Sequence, residues 1–213
     1  MSAALFAGRL IEFNLLPSRT LHPSRRAQFA APAASVPAAL EPVWHRHWSR
    51  DILRRLGLLD RPVRDAARPE LALALLPPDR LARVARLMGA ALCGQRLRRA
   101  IAGGEVRQLL AALGAEALDF ARHSAQALHP GLEGGDALSA PGLAAEVDRL
   151  GRATALAALR GGGPELGLRA ELKLPLADPA GDAPMPARLA LSLALGVLKI
   201  GEPAWLSSFP ATA

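Results

Sequence analysis

Residues 79–93 read DRLARVARLMGAALC and indicate the fold class more clearly than any other stretch. Apolar side chains recur there at the three- and four-residue spacing of one helical face, and arginines recur on the other side. The apolar stripe consists of Leu81, Val84, Leu87 or Met88, Ala91 and Leu92, and the polar side carries Arg80, Arg83 and Arg86. Pro77 and Pro78 precede the stretch, and Asp79 is a favourable N-cap for the helix that follows. The pattern predicts a long amphipathic helix.

The sequence on both sides of this helix repeats the helical pattern. Upstream, an apolar face is formed by Trp44, Trp48, Ile52 and Leu56, with Arg46, Arg50 and Arg54 on the opposite side of the same helix. Downstream, Leu97 and Ile101 continue an apolar face as far as Gly103 and Gly104, which are expected to end it. Further helices are predicted over residues 106–113, 118–128, 143–157 and 189–200. Most of the chain is therefore expected to be helical.

One stretch departs from the helical period. In residues 165–177, ELGLRAELKLPLA, leucine or alanine alternates with glycine, charged residues and proline from Leu166 to Leu176. Strict alternation is typical of a half-buried strand, and a strand needs a partner for its backbone groups. The N-terminal segment Arg9 to Leu15 is the expected partner, although residues 10–16 are also compatible with a helical turn. Pro175 favours an edge position or a strand end.

These patterns predict a mainly α (α+β) fold. We expect a single compact helical domain over residues 1–213, with a small two- or three-stranded sheet that involves the N-terminal segment and residues 166–176. A chain of 213 residues is long enough for one core and short for two. An Ala- and Pro-rich stretch at about residues 23–42 is predicted to be a loop, because its prolines interrupt any helix.

The chain is basic, with a formal net charge of +7. Its 26 basic residues include only two lysines, Lys173 and Lys199, and the rest are arginines, a bias typical of GC-rich genomes. The arginines are spread over most of the predicted helices, and the chain has no tyrosine for a base-stacking platform. A nucleic-acid-binding regulator is therefore the alternative function and not the preferred one.

No motif predicts catalytic, cofactor or metal-binding residues. His45 and His47 are two residues apart and so point to different sides of a helix, and no residue at a ligand spacing completes a zinc site. Cys93 lies beside an apolar stripe, where a free cysteine usually acts as a small apolar residue. The glycines at 161–163 precede Pro164 and Glu165, which lack the side chains that a P-loop places on phosphate. We expect a protein that is not an enzyme; an enzyme with an unrecognised site is the third alternative.

Nothing in the sequence predicts secretion or membrane insertion. The apolar stretch Ala3 to Ala7 is too short for a signal peptide, and the run from Leu189 to Leu198 is about half of the roughly 20 residues that a spanning helix needs. A single cysteine excludes an internal disulfide, which fits a cytosolic protein.

Arginines and aromatic side chains dominate protein interfaces, and they supply the candidate partner-binding residues. The candidates are Arg46, Arg50, Arg54, Arg80, Arg83, Arg96, Arg99, Trp205 and Phe209. The arginines and the two aromatic residues each also have an interpretation without a partner. The arginines would form solvated outer faces, and the C-terminal Trp205 and Phe209 would pack back on the core.

Several segments together resemble the SctK family (YscK, PscK), accessory proteins of the type III secretion sorting platform. The resemblance is carried by Phe13-Asn14, Pro17 and Leu21-His22; by Arg86-Leu87 through Gly94, Leu97-Arg98-Arg99 and Gln108-Leu109-Leu110; and by Leu168 to Ala177. The order and the spacing of these segments also agree with the family. The sequence departs from it most between Arg25 and Pro42, and at Cys93.

The resemblance implies a non-enzymatic adaptor in the cytoplasm, at the cytoplasmic face of the inner membrane. It would link the cytoplasmic domain of the inner-membrane ring protein SctD to the pod protein SctQ, in a platform that also holds SctL and the SctN ATPase. Attachment to the membrane would be peripheral, through SctD, and nucleic acid is not expected as a partner. The resemblance transfers no residue-level contacts to this chain.

Overall fold

Helices form the regular structure of this protein. A computed structural model describes residues 3–29, 37–133, 138–176 and 182–209. Its α-helices in chain order are α1 Ala3–Leu15, α2 Glu41–Arg55, α3 Leu71–Ala74, α4 Pro78–Leu92, α5 Gly94–Arg99, α6 Gly103–Leu113, α7 Ala115–His123, α8 Ala140–Gly161, α9 Pro164–Glu171, α10 Ala187–Gly201 and α11 Pro203–Leu206. Short 3₁₀ segments occupy Pro17–Arg19, Pro23–Phe29, Ala38–Leu40 and Ala125–Ala127.

The chain divides into two units, each of which is discontinuous in sequence. The first unit comprises Met1–Leu81, Leu159–Asp178 and Ala204–Ala213, and the second comprises Ala82–Ala158 and Pro179–Pro203. The single domain expected from the sequence stays a prediction.

The predicted sheet is wrong, because no strand occurs in the described ranges. Residues 164–171, expected to lie mostly in the C-terminal strand, form α9. Proline at its first position and Gly163 at φ 90° mark its start, as is common for helix N-termini. The N-terminal segment Arg9 to Leu15, expected to pair with that strand, lies in α1.

The strand prediction failed because two periods coincide in residues 166–176. Leu166 and Ala170 satisfy an alternating pattern, but they also lie four residues apart on one helical face, and both are fully buried. The stretch contains no β-branched or aromatic residue, and five of its eleven residues are leucine, which favours helix. Local propensity therefore agrees with the helical pattern and not with the strand.

The N-terminal region does bond to the C-terminal segment, but without a strand ladder. The His22 backbone N–H donates to Leu172 O at 2.9 Å, and Arg25 Nε donates to Leu174 O at 2.8 Å. The Leu176 N–H donates to Ser24 Oγ at 2.8 Å. Three separate hydrogen bonds, two of which involve a side chain of the N-terminal region, satisfy backbone groups of the segment that follows α9.

The other helix predictions are confirmed with differences at their ends, except that the apolar face expected to continue to Ile101 stops with α5 at Arg99, and Ile101 is 85% exposed. Helix α2 covers the predicted tryptophan stripe, and α4 covers the stretch from Asp79 to Leu92 with its three arginines. Helices α6, α7, α8 and α10 lie where amphipathic patterns were expected, although Gly103 begins α6. Of the predicted loop at residues 23–42, residues 30–36 lie outside the described ranges, and Pro23–Phe29 and Ala38–Leu40 are 3₁₀ segments.

A short buried helix lies at the centre of the first unit. Residues 71–76, which include α3, are at most 3% exposed. The carbonyls of Leu71 and Leu73 accept the backbone N–H groups of Leu75 and Leu76, but a helix of four residues leaves its other carbonyls without such donors, and burial makes an unpaired carbonyl costly. Lys173 Nζ donates to Ala74 O at 2.7 Å and to Leu76 O at 2.9 Å, and Trp205 Nε1 donates to Ala72 O at 2.7 Å. Side chains from distant parts of the sequence therefore stabilise α3.

Because Lys173 is only 4% exposed, stability is expected to depend on pH. Burial lowers the pKa of Lys173 to about 7, from 10.5 in an unfolded chain. Between these values the unfolded chain binds more protons, so stability increases as the pH rises from 7. We expect the free energy of unfolding to rise between pH 7 and 8.5 by up to ~1.4 kcal/mol per pH unit, the limit for one proton.

The comparison of wild type with Lys173→Met isolates this effect. Urea unfolding followed by circular dichroism at several pH values in that range measures the difference between the two proteins. The variant lacks the titrating group, so its stability should rise less steeply with pH. Parallel curves for the two proteins would show that Lys173 is not responsible.

A second buried cation, Arg169, connects three segments of the first unit: its own helix α9, the turn at residues 58–61 and the end of α1. It is 2% exposed and donates only to backbone carbonyls: those of Leu58 at 2.9 Å, Arg61 at 3.0 Å, Glu165 at 2.7 Å and Asn14 at 3.3 Å. Burial lowers the pKa of Arg169 to about 10, which leaves it protonated at neutral pH. Its five N–H donors suit several acceptors at once, as a lysine's ammonium does not.

The second unit contains a close crossing of α4 and α8. A Cβ on Gly89 would overlap Val147 O and lie 2.8 Å from the Val147 carbonyl carbon, and a Cβ on Gly151 would overlap Ala85 O. The two backbones therefore touch at glycines on both sides. At the same crossing, Arg86 Nε donates to Asp148 Oδ1 at 2.8 Å and Arg86 Nη2 donates to Asp148 Oδ2 at 3.0 Å. This pairing raises the pKa of Arg86.

Candidate partner-binding surface

Helix α2 separates a buried face from an exposed face, as its sequence predicts. Its buried side packs in the first unit in a cluster of Leu21, Phe29, Trp48, Ile52 and Leu172, with the half-buried Trp44 and Leu56 beside it. Trp48 Nε1 donates to Phe29 O at 2.9 Å, which satisfies the buried indole. These contacts fix the orientation of the helix and leave its opposite side to solvent.

The exposed side of α2 carries the three arginines predicted there. Arg46, Arg50 and Arg54 are all exposed, and the helical period places Val43 and His47 on the same side. We call this set of five residues the α2 face. Val43 is 55% exposed, and Leu40, just before the helix, is 57% exposed. The face therefore combines cationic groups with exposed apolar surface at one end.

The charges of the α2 face are only partly compensated. Arg54 Nη1 lies 2.6 Å from Asp51 Oδ1, and His47 Nε2 lies 3.6 Å from Asp51 Oδ2. Within the described part of the chain, Arg46 and Arg50 have no ion-pair partner. Exposed arginines with no internal partner retain their full capacity to bind carboxylates from another molecule.

The remaining candidate arginines, Arg80, Arg83, Arg96 and Arg99, have different surroundings within their own units. Arg80 belongs to the first unit, where its guanidinium lies 5.1 Å from the centre of the Trp205 ring, and the other three belong to the second unit. Arg83 bonds to Glu116 and, at 3.0 Å, to Glu202, which raises its pKa. Arg96 donates to Cys93 Sγ at 3.4 Å, and Arg99 is exposed. Arg80 and Arg83 are thus engaged inside their own units.

Trp205 and Phe209 lie in the interior of the first unit. They are 8% and 1% exposed, with ring centres 5.2 Å apart, and Phe6 packs edge-on against Phe209 at 5.5 Å. The guanidinium of Arg9 lies 5.4 Å from the Trp205 ring. Their position agrees with the alternative in which the C-terminal segment packs back on the core. A partner-binding role for the nine candidate residues stays a prediction.

Sequence reasoning missed residues on both the surface and the interior. Val43 and His47 complete the α2 face, and the same helical period that placed the arginines would have identified them. The buried cations Arg169 and Lys173 were placed on the polar side of a strand; a charged residue in register with Leu166 and Ala170 on a helix is the signal that would have found Arg169.

The described residues carry no arrangement that points to metal or thiol chemistry. Over residues 3–29, 37–133, 138–176 and 182–209, no three His, Cys, Asp or Glu side chains lie close enough to hold a metal ion. Cys93 is buried, and burial raises the pKa of its thiol, which disfavours a reactive thiolate. In these same ranges no helix has both the length and the apolar character required to cross a membrane.

Comparison with known proteins identifies the family of the chain. The model of the YscK family, described as YOP proteins translocation protein K, matches residues 11–188. The matched range includes the α2 face and most of both units. Comparison with curated proteins and with solved structures gives no significant match. Because the family model covers most of the sequence, the chain belongs to the YscK family and is a component of type III secretion.

Proposed function

We propose that this chain is a non-enzymatic adaptor of the type III secretion sorting platform. It links the cytoplasmic domain of the inner-membrane ring protein SctD to the pod protein SctQ, at the cytoplasmic face of the inner membrane. SctL and the SctN ATPase are its indirect neighbours in the platform. Membership of the YscK family supports the proposal, and the sequence resemblance supplies the identity of the partners.

The structural observation that carries the proposal is the α2 face. Among the residues that the structure describes, Arg46 and Arg50 are exposed cations without an ion-pair partner, on a helix whose other side is fixed in the core. An acidic surface on SctD or SctQ is its complement, because opposite charges increase the association rate and select against wrong partners. The apolar Val43 at one end of the face adds contact area that is independent of salt.

The double charge reversal Arg46→Glu/Arg50→Glu tests this role. We expect it to weaken binding to one of the two partners at least about tenfold at low salt, because two attractive charges become repulsive. The loss should shrink at high salt, where exposed charges are screened. Titration of the full chain against the soluble domain of SctD and against SctQ, at two salt concentrations, measures both effects.

The matched control is Arg107→Glu/Arg188→Glu, which changes the net charge equally at two exposed arginines of the second unit. It should bind as the wild type does. If the wild-type chain bound neither SctD nor SctQ, the adaptor function would be refuted. Binding to duplex DNA with a steep salt dependence, in place of both partners, would favour the nucleic-acid alternative.

A further inference from the structure

Helix α1 is apolar on its exposed side as well as on its buried side. It lies in the first unit, and its described residues that are exposed to solvent are Ala4, Leu5, Ala7, Gly8, Ile11 and Leu15. Ile11 and Leu15 are 57% and 55% exposed. A surface helix normally turns polar side chains to water, and a helix that is apolar all round is normally buried. An exposed apolar surface of this kind marks an interaction site.

The spacing of these residues indicates that another helix covers them. Ala4, Gly8, Ile11 and Leu15 follow one another at intervals of four, three and four residues, which is the spacing of the apolar seam of a coiled coil. We call these four residues the α1 seam. A Cβ added to Gly8 would have nothing within 4 Å, so the space above the middle of the seam is open. A second helix is thus able to approach closely there.

The order of small and large residues in the α1 seam favours a second copy of the same helix. The two small residues, Ala4 and Gly8, come first, and the two large ones, Ile11 and Leu15, follow. If two copies pair antiparallel about a twofold axis, Ala4 of one lies opposite Leu15 of the other, and Gly8 lies opposite Ile11. Every layer then combines a small with a large side chain, which fills a helix interface evenly. A parallel pair would instead crowd the two large residues at one end and leave a gap at the other.

The charged residues of α1 favour a protein contact over a lipid surface. The helix contains one cation, Arg9, whose guanidinium lies 5.4 Å from the centre of the Trp205 ring. Glu12, beside the seam, lies 3.6 Å from Arg19. Helices that lie on membranes are rich in lysine or arginine next to their apolar side, and α1 is not. Because the seam itself is uncharged, two copies of a basic chain bring no like charges together in it.

We propose that the chain self-associates through the α1 seam, as an antiparallel pair of α1 helices related by a twofold axis. The pair covers the apolar side of α1 that the monomer exposes. A helix of 13 residues is about 20 Å long, so the contact is smaller than the roughly 800 Å² per partner of a standard interface. The dimer is therefore weak and exchanges with the monomer, with an expected Kd of roughly 10–100 µM. The inference goes beyond the adaptor function, and its test involves neither SctD nor SctQ.

Sedimentation velocity of the full-length chain, at concentrations from well below to well above this Kd, measures the association. Ile11→Lys should weaken dimerisation at least about tenfold, because a symmetric dimer loses the apolar contact and gains a charge twice. Ile200→Lys, the same substitution at an isoleucine of α10 that is 46% exposed, is the matched control and should dimerise as the wild type does. Unchanged circular dichroism shows that both variants keep the fold.

Cysteine cross-linking tests the antiparallel order of the pair. A disulfide needs two Cα atoms within ~7 Å, and the only native cysteine, Cys93, is buried. A mixture of Ala4→Cys and Leu15→Cys chains should therefore form a covalent heterodimer under mild oxidation, whereas either variant alone should not cross-link. The two positions are about 16 Å apart along the helix, so a parallel pair would give the opposite result.

A wild-type chain that stays monomeric at every concentration would overturn the proposal, and so would an Ile11→Lys chain that dimerises as tightly as the wild type. Cross-linking of each cysteine variant with itself, and not with the other, would overturn the antiparallel pairing. Flotation with vesicles of phosphatidylethanolamine and phosphatidylglycerol is the test for a lipid surface. If the wild type floated, Ile11→Lys did not, and no dimer formed in solution, this side of α1 would be assigned to lipid and the proposal would be overturned too.

Discussion

Alanine at Gly89 should unfold the second unit or lower its stability by ~3 kcal/mol or more, at the upper end of what overpacking costs. The added Cβ would meet the backbone of α8: the carbonyl group of Val147, and the Gly151 nitrogen at 3.0 Å. Backbone atoms cannot move aside as a flexible side chain can, so the two helices would have to separate. Separation would also strain the paired bonds between Arg86 and Asp148.

Urea unfolding followed by circular dichroism measures the loss. Gly151→Ala should behave in the same way, since its Cβ would overlap Ala85 O on the other side of the crossing. Gly8→Ala is the matched control, because nothing lies within 4 Å of its Cβ in the interior of α1. There alanine should raise stability by about 0.5–1 kcal/mol through helix propensity. Equal effects at Gly8 and Gly89 would contradict the close crossing.

Replacing Arg169 with methionine should destabilise the protein by about 3–5 kcal/mol, a large part of the 5–15 kcal/mol typical of a native protein. The substitution keeps much of the apolar stem but leaves the carbonyls of Leu58, Arg61 and Asn14 without this donor in a buried site. Arg169→Lys should recover only part of the loss, because one ammonium cannot reach four carbonyls that a planar guanidinium joins.

Arg160→Met provides the comparison for Arg169→Met. Arg160 is exposed and donates to Glu171 at 2.8 Å, an ion pair of the kind that contributes under ~1 kcal/mol. The free energy of unfolding of Arg169→Met should therefore be much lower than that of Arg160→Met, as measured by thermal and urea unfolding. If Arg169→Met were as stable as Arg160→Met, the four carbonyl contacts would not be important for stability.

The α-helices with a clear apolar stripe could be predicted from the sequence because one periodic signal sufficed. Helices α2 and α4 follow from residues three and four apart, and the exposure of Arg46 and Arg50 follows from the same period. The predicted strand failed at residues 166–176, where the period of two and the period of four share the same leucines. Counting β-branched residues, which are absent there, would have favoured helix.

Other features depend on contacts that no local pattern contains. The pairing of Gly89 with Gly151 and the four carbonyls around Arg169 join segments far apart in sequence, so one chain without an alignment gives little indication of them. A glycine inside a strong helical pattern, as Gly89 is, does indicate a close backbone approach, but not with which partner.

The buried helix α3 also constrains how the protein is made. Its carbonyls depend on Lys173 and on Trp205, which lie 99 and 133 residues further along the chain from Ala74 and Ala72. During synthesis, the first unit therefore has to wait until residues 204–209 have left the ribosome, while its apolar segment 71–76 is already exposed. A chaperone or partner that shields this segment would therefore improve the yield of folded protein.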